Sequence, residues 1–459
     1  MKVLLIAYDN QSYMNSFPLG LAYIASSLRE DAHDVVVYSQ DIHHYSEEHL
    51  TKYLDENRFD VVGVGIVGGY YQYAKIKKIS KAINSSKHRP IYILGGHGPT
   101  PEPEFFLSRT QADIIVMGEG EATIVELLNN IDNLKDIKGI AYRDGKSIFV
   151  NERRELIKDI DTIPFPAWDL FPIEIHRLIR FSNCTPSDFI MPVLSGRGCP
   201  FKCAFCYRME KGFRKRKHDC IISEVEELKS KYGINYVMFL DELLMISEKR
   251  TVQFCKDIID SKIGVKWYCN GRLNYAKKDV LQIMKEAGCI FVNYGIEAYD
   301  DDVLRKMNKQ LTTKEIVDGI ENTIKVGISP GFNMIFGNIG DNAEVLKKNV
   351  EFLKKYDDCS QLRTIKPVTP YPGSPLYYHA IEKGLLEGVV DFYDNKHVNS
   401  DLLAVNLTDM SDEEFYTALR DANLELMKNY FDKKLSLGLD QVNKLYNEKD
   451  TSFRGFRQL

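Results

Sequence analysis

The sequence predicts an α/β protein: a doubly wound α/β domain, then an incomplete (β/α) barrel of six strands, then a mostly helical C-terminal region. Three observations carry this. Short Val/Ile-rich runs alternate with helical patterns up to about residue 130. The alternation resumes, with a longer period, from about residue 190. Between the two lies a stretch bearing Pro164, Pro166 and Pro172, a density that reads as an extended linker.

The chain has 459 residues, more than one ordinary core accommodates, so two or three domains of roughly 100–200 residues are expected. The expected division is 1–150, a linker 151–188, 189–385 and 386–459. Hydrophobic residues make up 44% and charged residues 27%, a globular composition. The net charge of −5 gives no global reason to expect nucleic acid. No apolar run reaches the ~20 residues of a membrane helix. The apolar stretch Met1–Ala7 runs into Tyr8-Asp9-Asn10 without a small-residue cleavage site and reads as a buried strand rather than a signal peptide. A cytoplasmic protein without membrane or nucleic-acid partners is the expectation.

In the first domain the strand candidates are Lys2–Ala7, Val35–Tyr38, Val61–Ile66, Ile91–Leu94 and Ile114–Met117, apolar as buried parallel strands are. Helical patterns cover Leu19–Arg29, Glu47–Asp55, Tyr73–Asn84 and Glu121–Asn129. Three of the turns are glycine-rich: Gly65-Ile-Val-Gly68-Gly69, Gly95-Gly96-His97-Gly98 and Gly118-Glu119-Gly120-Glu121. Ligands of open α/β sheets sit beyond the carboxyl ends of the strands, and glycine lets them approach the backbone. Three such turns point to one large ligand across that edge. Gly139–Glu155 reads as a hairpin turning at Asp144-Gly145.

In the second domain the strand candidates are Pro192–Ser195, Tyr236–Leu240, Lys266–Cys269, Phe291–Gly295, Gly331–Phe336 and Arg363–Lys366. Chemistry in a barrel collects at the C-terminal ends of its strands. Beyond Tyr371-Pro-Gly-Ser-Pro375 a helix is predicted from Asp412 to about Lys428. Ser411 and Glu414 form its capping box, and Phe415, Leu419, Ala422 and Leu426 share one face. The basic run Arg214-Lys-Arg-Lys-His218 reads as a solvated face, with steering of an anionic ligand as the alternative.

Nine cysteines are too few for a disulfide scaffold. Cys184, Cys220, Cys255, Cys269, Cys289 and Cys359 are scattered and read as reduced thiols. Cys199, Cys203 and Cys206 crowd together directly after the first barrel strand. Three thiolates at these spacings can wrap one cuboidal iron–sulfur cluster while leaving one iron open to a small molecule. Zinc would need a fourth ligand and paired spacings.

Cys199-x₃-Cys203-x₂-Cys206, with Phe205 before the last cysteine, resembles the signature of the radical S-adenosylmethionine (SAM) superfamily. The resemblance implies a [4Fe-4S] cluster whose open iron chelates SAM, and reductive cleavage of SAM to a 5′-deoxyadenosyl radical. It also implies roles for later strand ends. Asp241 and Glu242 would meet the SAM amino group, Arg272 the carboxylate and Glu297 the ribose, with Gly331–Gly337 near adenine. The front half, through Pro18–Ala22, Leu94–Pro99, Gly118–Glu121 and Ile163–Pro166, resembles the cobalamin-binding domain of one subgroup, which implies a flavodoxin-like architecture. The expected cofactor-facing residues there are Gly68, Gly69, Gly95, Gly96, His97, Gly98, Gly118, Glu119 and Gly120. The chain departs from many cobalamin domains in having no histidine in the loop from Tyr8 to Ser16, and Asp41-Ile-His43-His44 is read as a decoy.

The function that the resemblance implies is cobalamin-dependent methylation of an unactivated carbon of a small molecule or peptide, with flavodoxin or ferredoxin as reductant. Alternatives are a cyclase or rearrangement enzyme on the same machinery, or an enzyme whose front domain no longer binds cobalamin.

Overall fold

The computed structural model of the chain describes residues 1–11, 17–179, 181, 183–209 and 211–452. Part of the Tyr8–Ser16 loop, residues 12–16, therefore lies outside the described residues. The front sheet has seven strands: β1 (Lys2–Ala7), β2 (Asp34–Ser39), β3 (Val61–Gly65), β4 (Ile91–Gly95), β5 (Ile114–Val116), β6 (Ile140–Asp144) and β7 (Ser147–Val150). Their order is β2-β1-β3-β4-β5-β6-β7. The first five are parallel, and the β6–β7 hairpin extends the sheet antiparallel at one edge. The doubly wound prediction holds, and the strand order reverses between β1 and β3, which opens a crevice there.

Alternation explains why β1 is apolar from Val3 to Ala7. Val3 and Leu5 pack with Leu28, Ile124 and Leu127 on one side, while Leu4 and Ile6 pack with Leu50, Leu54, Ile76 and Ile79 on the other. Both faces are buried over Val3–Ala7, and the one polar residue, Lys2, stands at the partly exposed start of the strand.

The second sheet is parallel and curls as a partial barrel of β8 (Ile190–Val193), β11 (Tyr236–Phe239), β12 (Lys266–Gly271), β13 (Cys289–Glu297), β14 (Ser329–Phe336) and β15 (Lys366–Pro367). Their order is β15-β14-β13-β12-β11-β8. Between β8 and β11 the sequence reading missed a two-strand ribbon, β9 (Gly196–Arg197) antiparallel to β10 (Arg214–Lys215). This ribbon corrects the solvated-face reading of the basic run. Arg216 is 5% exposed and binds Glu224 at 2.5 Å, Arg214 binds Glu119 at 2.8 Å, and His218 pairs with Asp257, while Lys215 points outward. Alternation, not solvation, explains the run.

Residues 151–179 hold only short helical turns but are packed. Ile160, Ile163, Trp168, Phe171 and Ile173 join the barrel core, and Trp168 meets Phe17 with ring centroids 4.8 Å apart. The terminal helix, Asp412–Asn447, has the predicted capping box and buries the predicted Phe415, Leu419, Ala422 and Leu426. It runs well past Lys428, and the apolar stripe does not mark the extension because the later apolar residues leave the packed face: Leu435 is 61% exposed. Before it, Phe392, Tyr393, Ala404 and Val405 fold back onto the front-domain core, where Asp394 binds Tyr73 and Arg109 at 2.7 Å each. Among the described residues no helix is long and apolar enough to cross a membrane.

Candidate active site

A cavity of about 710 Å³ lies over the strand-order reversal of the front sheet. It is roofed by the barrel through Leu194, Gly196, Arg197, Leu240, Asp241 and Glu242. The front-domain floor comes from the ends of β1, β3, β4 and β5. Of the expected cofactor-facing residues, Gly95, Gly96, His97, Gly118, Glu119 and Gly120 line it. Gly68, Gly69 and Gly98 are not part of the lining; Gly68 faces Tyr371 and Tyr393 instead. Asp41 borders the cavity, whereas His44 turns away to hold Asp9 at 2.8 Å.

The glycines shape this floor. A Cβ on Gly20, Gly65 or Gly118 would meet no protein atom within 4 Å, so these positions face open space on the cavity side. Gly96 is required by its backbone: φ is 97° and a Cβ would stand 2.6 Å from the Ile66 carbonyl. The walls are otherwise mostly apolar, Ile, Leu and Val with Phe17, Tyr23 and Met209, and the charged groups are set among them. A mostly apolar cleft of this volume is ordinary for a ligand site, and the bare backbone fits a large, flat group laid on the turns.

The cysteine loop leaves the barrel beside the roof. Gly198, with φ 84°, turns the chain from β9 into Cys199. The Ala204 amide donates to Met307 at 2.9 Å, Leu376 donates to Ala204 at 2.9 Å, and the Asn308 side chain donates to the Lys202 carbonyl at 2.8 Å. The loop is thus pinned from two sides. The thiols are neighbours. Burial, then Cys203, pushes the Cys199 thiol up against the opposing pull of Arg272. Burial, then Cys203 and Glu297, pushes Cys206 up to about 12, with Lys309 opposing. Among the described residues no three His, Cys, Asp or Glu side chains converge on a single ion. Thiolates that each bind a different iron of one cuboidal cluster need no such convergence.

Two buried cations flank the thiols. Arg272 is 6% exposed, lies over the Phe201 ring at 3.6 Å and donates to the Lys309 and Gln310 carbonyls, the latter at 2.9 Å. Its Nε is buried without a hydrogen-bond partner. Lys309 donates to Glu297 at 2.9 Å, both residues 7% exposed, and stands 5.7 Å from the Phe205 ring centroid. Sequence reasoning missed Lys309, because a lysine well beyond a strand end carries no motif. Paired cations next to three thiolates suit an anionic cluster.

The structure separates the two acidic residues after β11. Asp241 is 1% exposed and accepts from the Ser195 amide at 2.6 Å and from the Ser195 hydroxyl. Burial still pushes its carboxyl up. Glu242 opens to the cavity and has the Gly198 amide beside it; burial pushes its carboxyl up as well, and Asp241 adds to this. Asp241 thus holds the barrel together, and Glu242 is the carboxylate available to a ligand.

Inside the barrel an amide row was also missed. Asn333 donates to Asn293 and Asn293 to Asn270, each at 3.1 Å, and Asn270 donates to the Asp241 carbonyl at 2.9 Å. Spread over three strands, it has no signal in a linear reading.

Comparison with known proteins agrees with this geometry. A family model described as the radical SAM superfamily matches residues 193–353, and one described as a B12 binding domain matches residues 8–128. The chain is 31% identical over 401 residues to an uncharacterized methyltransferase of Pyrococcus horikoshii, covering 84% of each protein. It is 26% identical to the anaerobic magnesium-protoporphyrin IX monomethyl ester cyclase of Rubrivivax gelatinosus, over 80% of this chain and 66% of the relative. Its fold is similar to that of the radical SAM methyltransferase TsrM from Kitasatospora setae, solved with cobalamin and a [4Fe-4S] cluster bound, with a TM-score of 0.67 at 16% identity over 83% of this chain and 75% of that one. With a cysteine loop set beside a glycine-floored cavity between two such domains, the chain belongs to the radical SAM enzymes that carry an N-terminal cobalamin-binding domain.

Proposed function

We propose that this enzyme methylates an unactivated carbon of a small molecule or peptide. The observation that carries the reading is the position of the cavity. Its floor is the set of glycine turns, and its roof is the barrel segment that leads into Cys199. A corrinoid seated there would lie next to the SAM site, as methyl transfer to a substrate radical requires.

When bound, the cluster and SAM supply the radical, and cobalamin supplies the methyl group. The chain's own residues bind and orient. Cys199, Cys203 and Cys206 hold the cluster, and Arg272 and Lys309 balance its charge and fix the loop. Glu242 accepts hydrogen bonds from the SAM ammonium. Apolar side chains such as Ile66, Ile93 and Leu240 keep water from the reacting atoms. Electrons come from a small reductant protein such as flavodoxin or ferredoxin. A ring-forming reaction on the same parts is the second reading, favoured by the similarity to the cyclase.

Corrinoid content tests the first reading. The protein is produced in cells supplied with cobalamin and purified without oxygen, and its absorption spectrum is compared with mass spectrometry of the released cofactor. Near-stoichiometric corrinoid supports it. A protein that holds its cluster without corrinoid removes the methylation reading and leaves a radical SAM enzyme with a repurposed front domain.

A further inference from the structure

The front domain and the cluster loop are joined by a four-charge clasp. Arg197, on β9 and two residues before Cys199, donates to Glu119 at 2.8 Å and to Glu121 at 2.5 Å. Arg214, on β10, donates to the other Glu119 oxygen at 2.8 Å and to the Ile157 carbonyl at 2.7 Å. The Ile157 amide in turn donates to Glu119 at 2.8 Å. The side chains are nearly closed off from water: Glu119 is 4% exposed, Glu121 9%, Arg197 13% and Arg214 16%. Burial would raise the Glu119 carboxyl, but the two guanidiniums and the Ile157 amide outweigh it and hold it low. Arg197 also lies over the Tyr23 ring at 5.3 Å, so it touches the first helix of the front domain as well.

The placement is specific. Glu119 and Glu121 belong to the glycine turn after β5, which floors the cavity. Arg197 sits between Gly196 and Gly198, and a Cβ on Gly196 would meet the Arg214 carbonyl at 2.7 Å, so the ribbon is held tight. A shift of the turn when a ligand settles on it is passed through one rigid guanidinium to the residue that precedes the cysteine loop. A planar fork bonded to two carboxylates transmits position better than a lysine could, because it fixes direction as well as distance.

We propose that Arg197 is a positioning residue that couples occupancy of the corrinoid cavity to the SAM site at the cluster, an inference that rests on the corrinoid reading of that cavity. It borders the cavity through its roof, and the role assigned to it is linkage between the two sites rather than chemistry. Its effect is an energetic linkage: hydroxocobalamin changes SAM affinity, and by reciprocity SAM changes hydroxocobalamin affinity.

The test uses the full chain with its cluster reconstituted anaerobically. SAM affinity is read from the electron paramagnetic resonance spectrum of the reduced cluster, with and without saturating hydroxocobalamin, and hydroxocobalamin binding from its absorption. In the wild type the two SAM affinities are expected to differ by a factor of about 5–150, the usual span of coupling between linked sites. In Arg197→Ala the ratio is expected to fall below about twofold, and Arg197→Lys to lie between. A purely structural role would shift affinities without abolishing their ratio. If Arg197→Ala does not fold, Glu121→Ala carries the test, because it removes the acceptor of one branch and leaves Glu119 in place. A wild-type ratio of one, or a wild-type ratio retained in Arg197→Ala or in Glu121→Ala, overturns the proposal. A wild type that takes SAM but gives no spectral response to hydroxocobalamin overturns the corrinoid reading, and the clasp's role falls with it; the missing spectral response distinguishes that failure from the others.

Discussion

Asp241 and Glu242 are adjacent carboxylates with opposite duties, and substitution separates them. Asp241→Ala leaves the Ser195 amide and hydroxyl without acceptors in a site that is 1% exposed. Each stranded donor costs about 1–3 kcal/mol, so a loss of about 2–6 kcal/mol is expected. Arg250, which donates to the Ser195 oxygens at 3.0 and 3.1 Å, also loses the anion that its charge faces, which places the loss toward the upper end. Asp241→Asn keeps one oxygen for the amide, and the hydroxyl can rotate to accept from the new amine, so about 1–2 kcal/mol is expected. Glu242 faces the cavity, and Glu242→Ala is expected to shift stability by about 0.5 kcal/mol or less. On the proposed role it also removes a charge-assisted hydrogen bond to the SAM ammonium, about 1.5–3 kcal/mol, or about 10- to 150-fold in SAM affinity. Urea unfolding under anaerobic reducing conditions reads the first set, and SAM titration of the reduced cluster reads the second. A Glu242→Ala protein as destabilised as Asp241→Ala, or an Asp241→Ala protein of wild-type stability, would refute the division of labour.

Alanine at Cys199, Cys203 or Cys206 is expected to reduce bound iron sharply and abolish deoxyadenosine formation from SAM, as measured by iron assay and chromatography; full activity in the triple variant would remove the cluster from the account. Lys309→Met leaves the Glu297 carboxylate buried and unpaired, a loss of about 3–5 kcal/mol in unfolding free energy. Gly96→Ala forces a φ of 97° on an L side chain and a Cβ into the Ile66 carbonyl, so a loss of more than about 1–2 kcal/mol is expected, together with weakened hydroxocobalamin binding. Asp341 is buried and its carboxyl is raised from 3.8 to about 6, by burial first, against the Asn338 and Gly337 donors. The folded state therefore holds the proton more tightly than the unfolded chain does. The stability linked to it is fully present below the ordinary value of 3.8 and is lost as pH rises through about 6, about 3 kcal/mol in all. The difference in unfolding free energy between Asp341→Asn and wild type should change by most of that amount, about 2 kcal/mol, between pH 4 and 7; a flat difference would refute the assignment.

What the sequence made legible follows from what is local. Val3–Ile6 are apolar at every position because both faces are covered, and the strand could be read to its ends. The cysteine spacing and the capping box at Ser411 are equally local. β13 was read short, because Cys289 at one end and the irregular register between Gly295 and Glu297 at the other do not look like strand. The β9–β10 ribbon was missed because two residues make no pattern, and its partners are separated by a long loop. At the site, Glu119 could be placed at the cavity, but not its engagement with Arg197 and Arg214, which are distant in sequence. Lys309 and the three asparagines were invisible for the same reason.

The asparagine row also has a direction. A backbone carbonyl can only accept, so the Asp241 carbonyl forces Asn270 to point its amine that way. The oxygen of Asn270 must then receive Asn293, and that of Asn293 must receive Asn333. No single amide can turn over without turning the others, so a side chain in β14 takes its orientation from a peptide group at the end of β11. Replacing Asn270 with leucine would cut the row at its source and leave the two remaining amides free to invert together.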